Sequence, residues 1–247
     1  FDVIAKGETG HGSMPHNDQA VPHVCFATHK LADEGLPHHE TPLVTNFVEN
    51  LAKHQGFPKN IILKAALKKS WSRLILKYLF PDKDKAKNFE NMLHNTATPT
   101  KLNAGYAYNV IPSEATLSVD GRILPGHTVN SFLQQVRDII GNDFEIKVKQ
   151  SSEPFTTEHD NSFFEQLGRS LKSFDSGSIP VPFLIPGYTD AQQYQRLGIK
   201  CYGFVPVKLP ADINFGSLYH GHNERIPVNG MKFGMKVLWD VILKTCC

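Results

Sequence analysis

The chain has 247 residues, enough for one large domain or two small ones, with 40% apolar and 20% charged residues and a net charge of +2. That balance belongs to a globular protein with a real core and argues against a nucleic-acid footprint. No apolar run approaches the roughly 20 residues needed to cross a bilayer, which argues against a membrane partner. Cys25, Cys201, Cys246 and Cys247 are spaced neither as a zinc knuckle nor as a disulfide framework, so a reducing, cytoplasmic setting is expected.

Phe1 to Lys6 alternates apolar and polar positions and reads as a strand. The chain is read as starting within a longer or processed product, because its first residue is not Met. Gly7 to Pro15 is a glycine-punctuated loop, and Asn17 or Asp18 is expected to cap a helix from about Ala20 to Glu34, stopped by Gly35. From 37 to 98 the pattern is almost wholly helical. Leu63, Leu67, Trp71, Leu74, Tyr78 and Leu79 form a long stripe, ringed by Lys64, Lys68, Lys69, Arg73 and Lys77. Such a basic amphipathic stretch fits a membrane surface or a partner groove. Packing on its own domain is the alternative, and the preferred one.

Thr100 to Ala107 and Ala115 to Leu124 read as strands, Val129 to Ile140 as a helix ended by Gly141, and Phe144 to Val148 as a strand. The order strand, helix, strand, strand, helix, strand is the ferredoxin-like split arrangement. After Gln150 the expected order is helix Asn161 to Phe174, strand Val181 to Ile185, helix Asp190 to Leu197, strand Lys200 to Val205 and helix Val228 to Leu243. This alternation implies an open α/β sheet with parallel members, whose ligands sit beyond strand carboxyl ends.

Three short stretches carry candidate chemistry. In Tyr219-His220-Gly221-His222-Asn223-Glu224, His220 suits a metal, and Gly221 is expected to supply the tight turn. One histidine is not a site, and a polar surface loop is the competing reading. In Gly10-His11-Gly12-Ser13, flanking glycines expose an imidazole that could donate to a substrate oxygen, or have no role. Asn109, before Val110-Ile111-Pro112, is a second oxygen-directed donor or a turn residue. Arg122, in Asp120-Gly121-Arg122, could fork onto a carboxylate or pair with Asp120. Asp190, after Gly187-Tyr188-Thr189, is a helix N-cap or a group beside the substrate, with Gly187 bringing backbone close to it.

Taken in order, Gly10–Pro15, Asn109–Ala115, Asp120–Arg122, Gly187–Ala191, Gly198–Phe204 and Tyr219–Glu224 resemble the dinuclear-zinc metallopeptidases of family M20, which include aminoacylase, succinyl-diaminopimelate desuccinylase and carboxypeptidase S. The resemblance implies an α/β fold: a ferredoxin-like lid, or dimerisation, domain over 1–150 with a helical insertion at about 36–98, and the C-terminal part of an open α/β catalytic domain over 151–247. It implies an amidohydrolase or peptidase acting on N-acyl amino acids or small peptides, a homodimer formed through the lid, and zinc, two ions in the complete site. His11 then corresponds to the lid histidine that helps stabilise the tetrahedral intermediate, Asn109 to a substrate-facing asparagine and His220 to a metal ligand. Arg122, Gly187 and Asp190 fall on the substrate side. The family's general base and its other metal ligands lie ahead of the lid, and nothing here is read as replacing them, neither a Glu-Glu pair nor a His-x-Asp. The chain alone is therefore expected to be inactive, and a non-catalytic dimerisation or binding module derived from such an enzyme is the alternative.

Overall fold

A computed structural model describes residues 1–80, 83–185, 187–210, 213 and 218–246. In chain order the strands are β1 (Asp2–Lys6), β2 (Gly10–His11), β3 (Thr96–Ala104), β4 (Val110–Ile111), β5 (Glu114–Arg122) and β6 (Glu145–Lys147). The helices are α1 (Ala20–Asp33), α2 (Pro42–Lys53), α3 (Lys59–Ala65), α4 (Lys69–Tyr78), α5 (Lys83–Asn91), α6 (Val129–Ile140), α7 (Ser162–Phe174), α8 (Ala191–Gln195) and α9 (Val228–Cys246). They group into two compact units: Phe1–Thr41 with Asn91–Phe155, and Pro42–Glu90 with Thr156–Cys247.

The first unit is the split βαββαβ arrangement expected from the sequence. Its sheet order is β3-β5-β1-β6, and every neighbouring pair is antiparallel. Alternation sorts the strands cleanly. Val3, Ala5, Ala115, Leu117 and Val119 point to one face, where α1 and α6 cover them with Val24, Leu31, Phe132, Val136 and Ile140. Asp2, Lys6, Thr116 and Ser118 fall on the opposite face by the same alternation. Pro99 cannot donate to a ladder, and the register slips between Pro99 and Lys101. There the Thr100 hydroxyl donates to the Ser118 carbonyl at 3.1 Å.

Asn95 ties this unit together. It is 1% exposed, accepts from the Leu124 backbone N–H at 2.7 Å and donates to Gln135 Oε1 on α6 at 2.9 Å. Gln135 Nε2 in turn lies 3.1 Å from His39 Nε2. Leu124 N–H can only donate, so Asn95 must present its oxygen there and its amide nitrogen to Gln135. Gln135 then presents its own NH2 to His39, whose Nε2 must be the lone-pair nitrogen of a neutral ring.

Several local expectations need correction. The N-cap of α1 is Gln19, without a side-chain cap bond. Asp18 instead pairs with His23 at 3.2 Å and lends its carbonyl to Glu8 N–H at 2.9 Å. Pro22 sits harmlessly in the first turn, where N–H groups lack intrahelical partners. The helical reading of 37–98 overran at its C-terminal end, since β3 begins at Thr96; the stretch before it holds four short helices, and the longer stripe, from Leu63 to Leu79, is divided between α3 and α4.

In the second unit, α7 packs on α9, with Leu167 and Ser170 buried on one helix and Val237 and Val241 on the other. Asn161 caps α7 by accepting from Phe163 and Phe164 N–H at 3.1 and 3.0 Å. Gly230 and Gly234, one turn apart on α9, let the 206–208 backbone lie against the helix. A Cβ at Gly230 would fall within van der Waals overlap of the Lys208 carbonyl, and one at Gly234 would lie 2.8 Å from the Pro206 carbonyl. Phe183 meets Phe47 of α2 edge-on, with centroids 5.4 Å apart. Val181–Ile185 and Lys200–Val205, expected as strands, pair with no other described residue. Pro180 and Pro182 remove ladder donors around the first segment, and a strand exists only where a neighbour accepts its bonds.

Candidate functional site

Two of the candidates, His11 and Asn109, lie on segments that come together. β2 and β4 form a short ladder with His11 opposite Val110 and Gly10 opposite Ile111. Gly12 N–H donates to the Asn109 carbonyl at 2.8 Å, and Thr9 Oγ1 donates to the Ile111 carbonyl at 2.9 Å. Loop 10–13 and the residue 109 corner are thus one hydrogen-bonded object.

Its histidine is oriented. Ser13 N–H donates to His11 Nδ1 at 3.3 Å, and Ser13 Oγ lies 2.8 Å from the same nitrogen. A backbone N–H can only donate, so Nδ1 carries the lone pair and, in the neutral ring, Nε2 carries the proton. His11 is exposed, and its Nε2–H is left as an outward donor. The sequence reading missed Ser13; the readable signal was the two-residue spacing in His-Gly-Ser, which suits a local side-chain bond. In the second unit a shallow cavity of about 420 Å³ lies along Lys208–Pro210 and Pro227–Gly230, with no candidate residue in its lining.

His16-Asn17-Asp18, passed over in the sequence, has His-x-Asp spacing, but the structure separates the two side chains' roles. The His16 ring lies against Gly10, where a Cβ would meet Nε2 at 3.2 Å, while Asp18 faces His23.

Arg122 is engaged within its own strand. Its Nε and Nη2 both donate to Asp120 Oδ2, at 3.1 and 2.8 Å. Residues two apart on a strand share a face, so a substrate carboxylate would compete with Asp120. That is the pairing the sequence offered as the alternative.

In the second unit, Asp190 stands at the N-cap position of α8, yet its side chain makes no cap bond. Its carbonyl accepts from Gln193 and Tyr194 N–H at 2.9 and 3.3 Å. A Cβ at Gly187 would meet only Ile185 Cγ2, at 3.9 Å. His220 is exposed and has φ of 56°, in the left-handed region, as has Asn223 at 61°. The turn therefore falls on His220 and Asn223 rather than on Gly221, which was expected to supply it. Asn, Asp and His are the non-glycine residues that enter this region most readily, and such geometry often accompanies function. Gly221 N–H closes the turn on the Leu218 carbonyl at 3.0 Å.

A catalytic zinc takes about three protein ligands and an open position. Among the described residues no three His, Cys, Asp or Glu side chains converge, so those residues do not make up a metal centre.

A split antiparallel sheet, a short β2–β4 ladder bearing an oriented histidine, and a helix-rich second unit define a mixed α/β protein. Residues 1–147 match the M20 peptidase dimerisation domain, and the chain belongs to that family. It is 29% identical over 242 residues to the N-fatty-acyl-amino acid synthase/hydrolase PM20D1 of Bos taurus, covering 95% of this chain and 46% of that protein. It is 30% identical over 149 residues to aminoacylase-1 of Dictyostelium discoideum, covering 58% and 35%. The chain thus spans less than half the length of these relatives. In fold it is similar to human carnosine dipeptidase 1, with a TM-score of 0.58 at 16% identity, covering 98% of this chain and 53% of that one. The M20 metallo-carboxypeptidase Sso-CP2 of Sulfolobus solfataricus gives 0.56 at 16% identity, covering 98% and 56%.

Proposed function

We propose that the chain is the lid and C-terminal portion of an amide-bond hydrolase acting on N-acyl amino acids or small peptides. Residues 1–150 are the lid, with an insertion at about 36–98, and 151–247 belong to the catalytic domain. The observation that carries this reading is the His11–Asn109 pair held on β2–β4, with Nε2–H of His11 as the outward donor. An amide carbonyl under attack gains negative charge on oxygen. A fixed donor aimed there stabilises that charge more than the ground state. Asn109 supplies a second donor, while Arg122, Gly187 and Asp190 contact the substrate. The names of the relatives, an acyl-amino acid hydrolase and an aminoacylase, support this substrate class. Zinc is implied by the family. This chain's share is at most His220, and no step is assigned to it.

The lid also supports a homodimer. β3 is an edge of the sheet, with β5 its one neighbour among the described residues, and an open edge is a template for a second copy. A cytoplasmic setting is proposed on the thiols of Cys25, Cys201 and Cys246, which are free.

The test is His11→Ala in a full-length parent. We expect kcat to fall roughly 10²–10³-fold, as when one oxyanion donor is removed, with dimer mass unchanged. The 247-residue chain alone should hydrolyse no N-acyl amino acid. Zinc-dependent amidase activity of this chain, lost in His220→Ala, would overturn the partial-site reading. An unchanged kcat in His11→Ala would overturn the role of the loop. The donor loop and lid sheet are both built within 1–147, and this favours a second reading, a dimerisation module without catalysis. It would lead if the gene upstream of Phe1 encodes neither His-x-Asp nor Glu-Glu.

A further inference from the structure

We propose that α3 and α4 form a peripheral docking surface for anionic phospholipid membranes. The first observation is charge. From Asn50 to Pro81 the sequence has seven Lys and Arg and not one Asp or Glu, leaving 19 cations against 24 acids elsewhere. A chain of net charge +2 therefore concentrates its positive charge in one segment. Lys53, Lys59, Lys64, Lys69, Arg73 and Lys77 are all exposed.

The second observation is an apolar face left in solvent. The sequence favoured packing this stripe on its own domain, and the structure does so only in part. The helix breaks between Ala65 and Lys69, which resets its phase. Leu67, Ile75 and Leu76 become the buried side, and Trp71, Leu74, Tyr78 and Leu79 turn outward, between 52% and 68% exposed. Phe57 and Ile61, at the start of α3, are also outward, at 83% and 56%. On a helical wheel Trp71, Leu74 and Tyr78 lie within about 60° of one another, with Arg73 and Lys77 on the adjoining arc. Lys77 Nζ leans over the Tyr78 ring at 5.3 Å.

An apolar stripe ending in Trp and Tyr and bordered by long cations is what an interfacial helix presents. The rings and Leu enter the acyl boundary while Lys and Arg reach the headgroups. The occupant is set by charge: an exposed cationic rim in a segment without acids calls for an anionic surface, and an apolar stripe calls for one with an acyl interior. No helix among the described residues is long and apolar enough to cross a bilayer, so the contact lies on the surface.

The test is co-sedimentation of the 247-residue chain with vesicles of phosphatidylcholine, with and without phosphatidylserine. Binding should require phosphatidylserine and weaken with salt. Lys64→Gln/Arg73→Gln/Lys77→Gln replaces exposed cations with good helix formers, so the fold should survive, checked by circular dichroism. At roughly fivefold per cation it should lower partitioning about a hundredfold. With Trp239→Phe, Trp71 is the one remaining tryptophan, and its emission should shift to the blue on vesicle addition. Equal binding to neutral vesicles, or an unaltered triple variant, would overturn the proposal. So would an oligomer that dissociates in Trp71→Ala without any vesicle binding, which would give the face to a second copy.

Discussion

Replacing Asn95 with Ala should do two things at once, because one side chain serves a buried backbone donor and orients an amide relay. Leu124 is 5% exposed, and its N–H would lose the acceptor it holds at 2.7 Å. A buried unpaired donor costs about 1–3 kcal/mol, and the lost Gln135 bond adds about 1 kcal/mol. The total, about 2–4 kcal/mol, corresponds to a urea midpoint lower by roughly 1–2 M at ordinary m-values. The second effect is specific to the relay. Burial, and then the His127 ring whose centroid lies 4.0 Å away, hold the His39 imidazole below its ordinary range, and the NH2 of Gln135 faces its lone pair. Without Asn95, Gln135 is free to turn its oxygen toward His39, which would then accept a proton more readily. Titration of the His39 ring by NMR should therefore move upward in Asn95→Ala. A variant with a midpoint within 0.3 M of the parent, or with an unmoved His39 titration, would refute the relay.

The same histidine predicts a pH dependence. Its pKa is lower folded than unfolded, so its contribution to stability is present above the ordinary value of about 6.5 and is lost as pH falls through the folded value. Urea midpoints at pH 7.5 and 5.5 should show this loss, and His39→Gln should reduce it. Gly121→Ala should destabilise by about 1–3 kcal/mol through overpacking, because a Cβ there lies 2.8 Å from the Phe132 ring and 3.3 Å from that of Phe1; thermal unfolding reads it. Thr128→Ala removes a capping box in which Thr128 Oγ1 accepts from Ser131 N–H at 3.1 Å and Ser131 Oγ accepts from Thr128 N–H at 3.0 Å. The cost should be about 1 kcal/mol in the same scan. Gly230→Ala should cost more than Gly126→Ala at its contact, since the first drives a methyl into the Lys208 carbonyl and the second meets nothing within 4 Å, although Gly126 has φ of 92° and resists substitution for that reason alone.

What the sequence made legible follows from the range over which each element is determined. α6 was readable to the residue because its stripe of Phe132, Val136 and Ile140, its Thr128 cap and its Gly141 stop are all local signals. The four-stranded sheet of the dimerisation domain was readable because β1 and β5 alternate over one covered face. The split in the basic segment was not readable: the Leu63-to-Leu79 stripe is continuous on a straight helix, and only the break after Ala65 turns Trp71 and Leu74 outward. The segments at 181–185 and 200–205 carry strand-like composition, but pairing is decided by a neighbour, and composition cannot say whether one is there. The candidate site divides the same way. His11 and Asn109, 98 positions apart in sequence, are joined by a ladder of four residues that no local pattern announces, whereas Arg122 and Asp120, two apart, were recognisable as a pair from spacing alone. A donor loop whose geometry depends on so short a ladder is sensitive to its glycines. Gly12 lies with its would-be Cβ 3.5 Å from the Asn109 backbone, at ordinary contact distance, so the loop tolerates a methyl there. At Gly10 the same methyl presses on His16. Only the second position is therefore expected to shift His11 and the donor it presents.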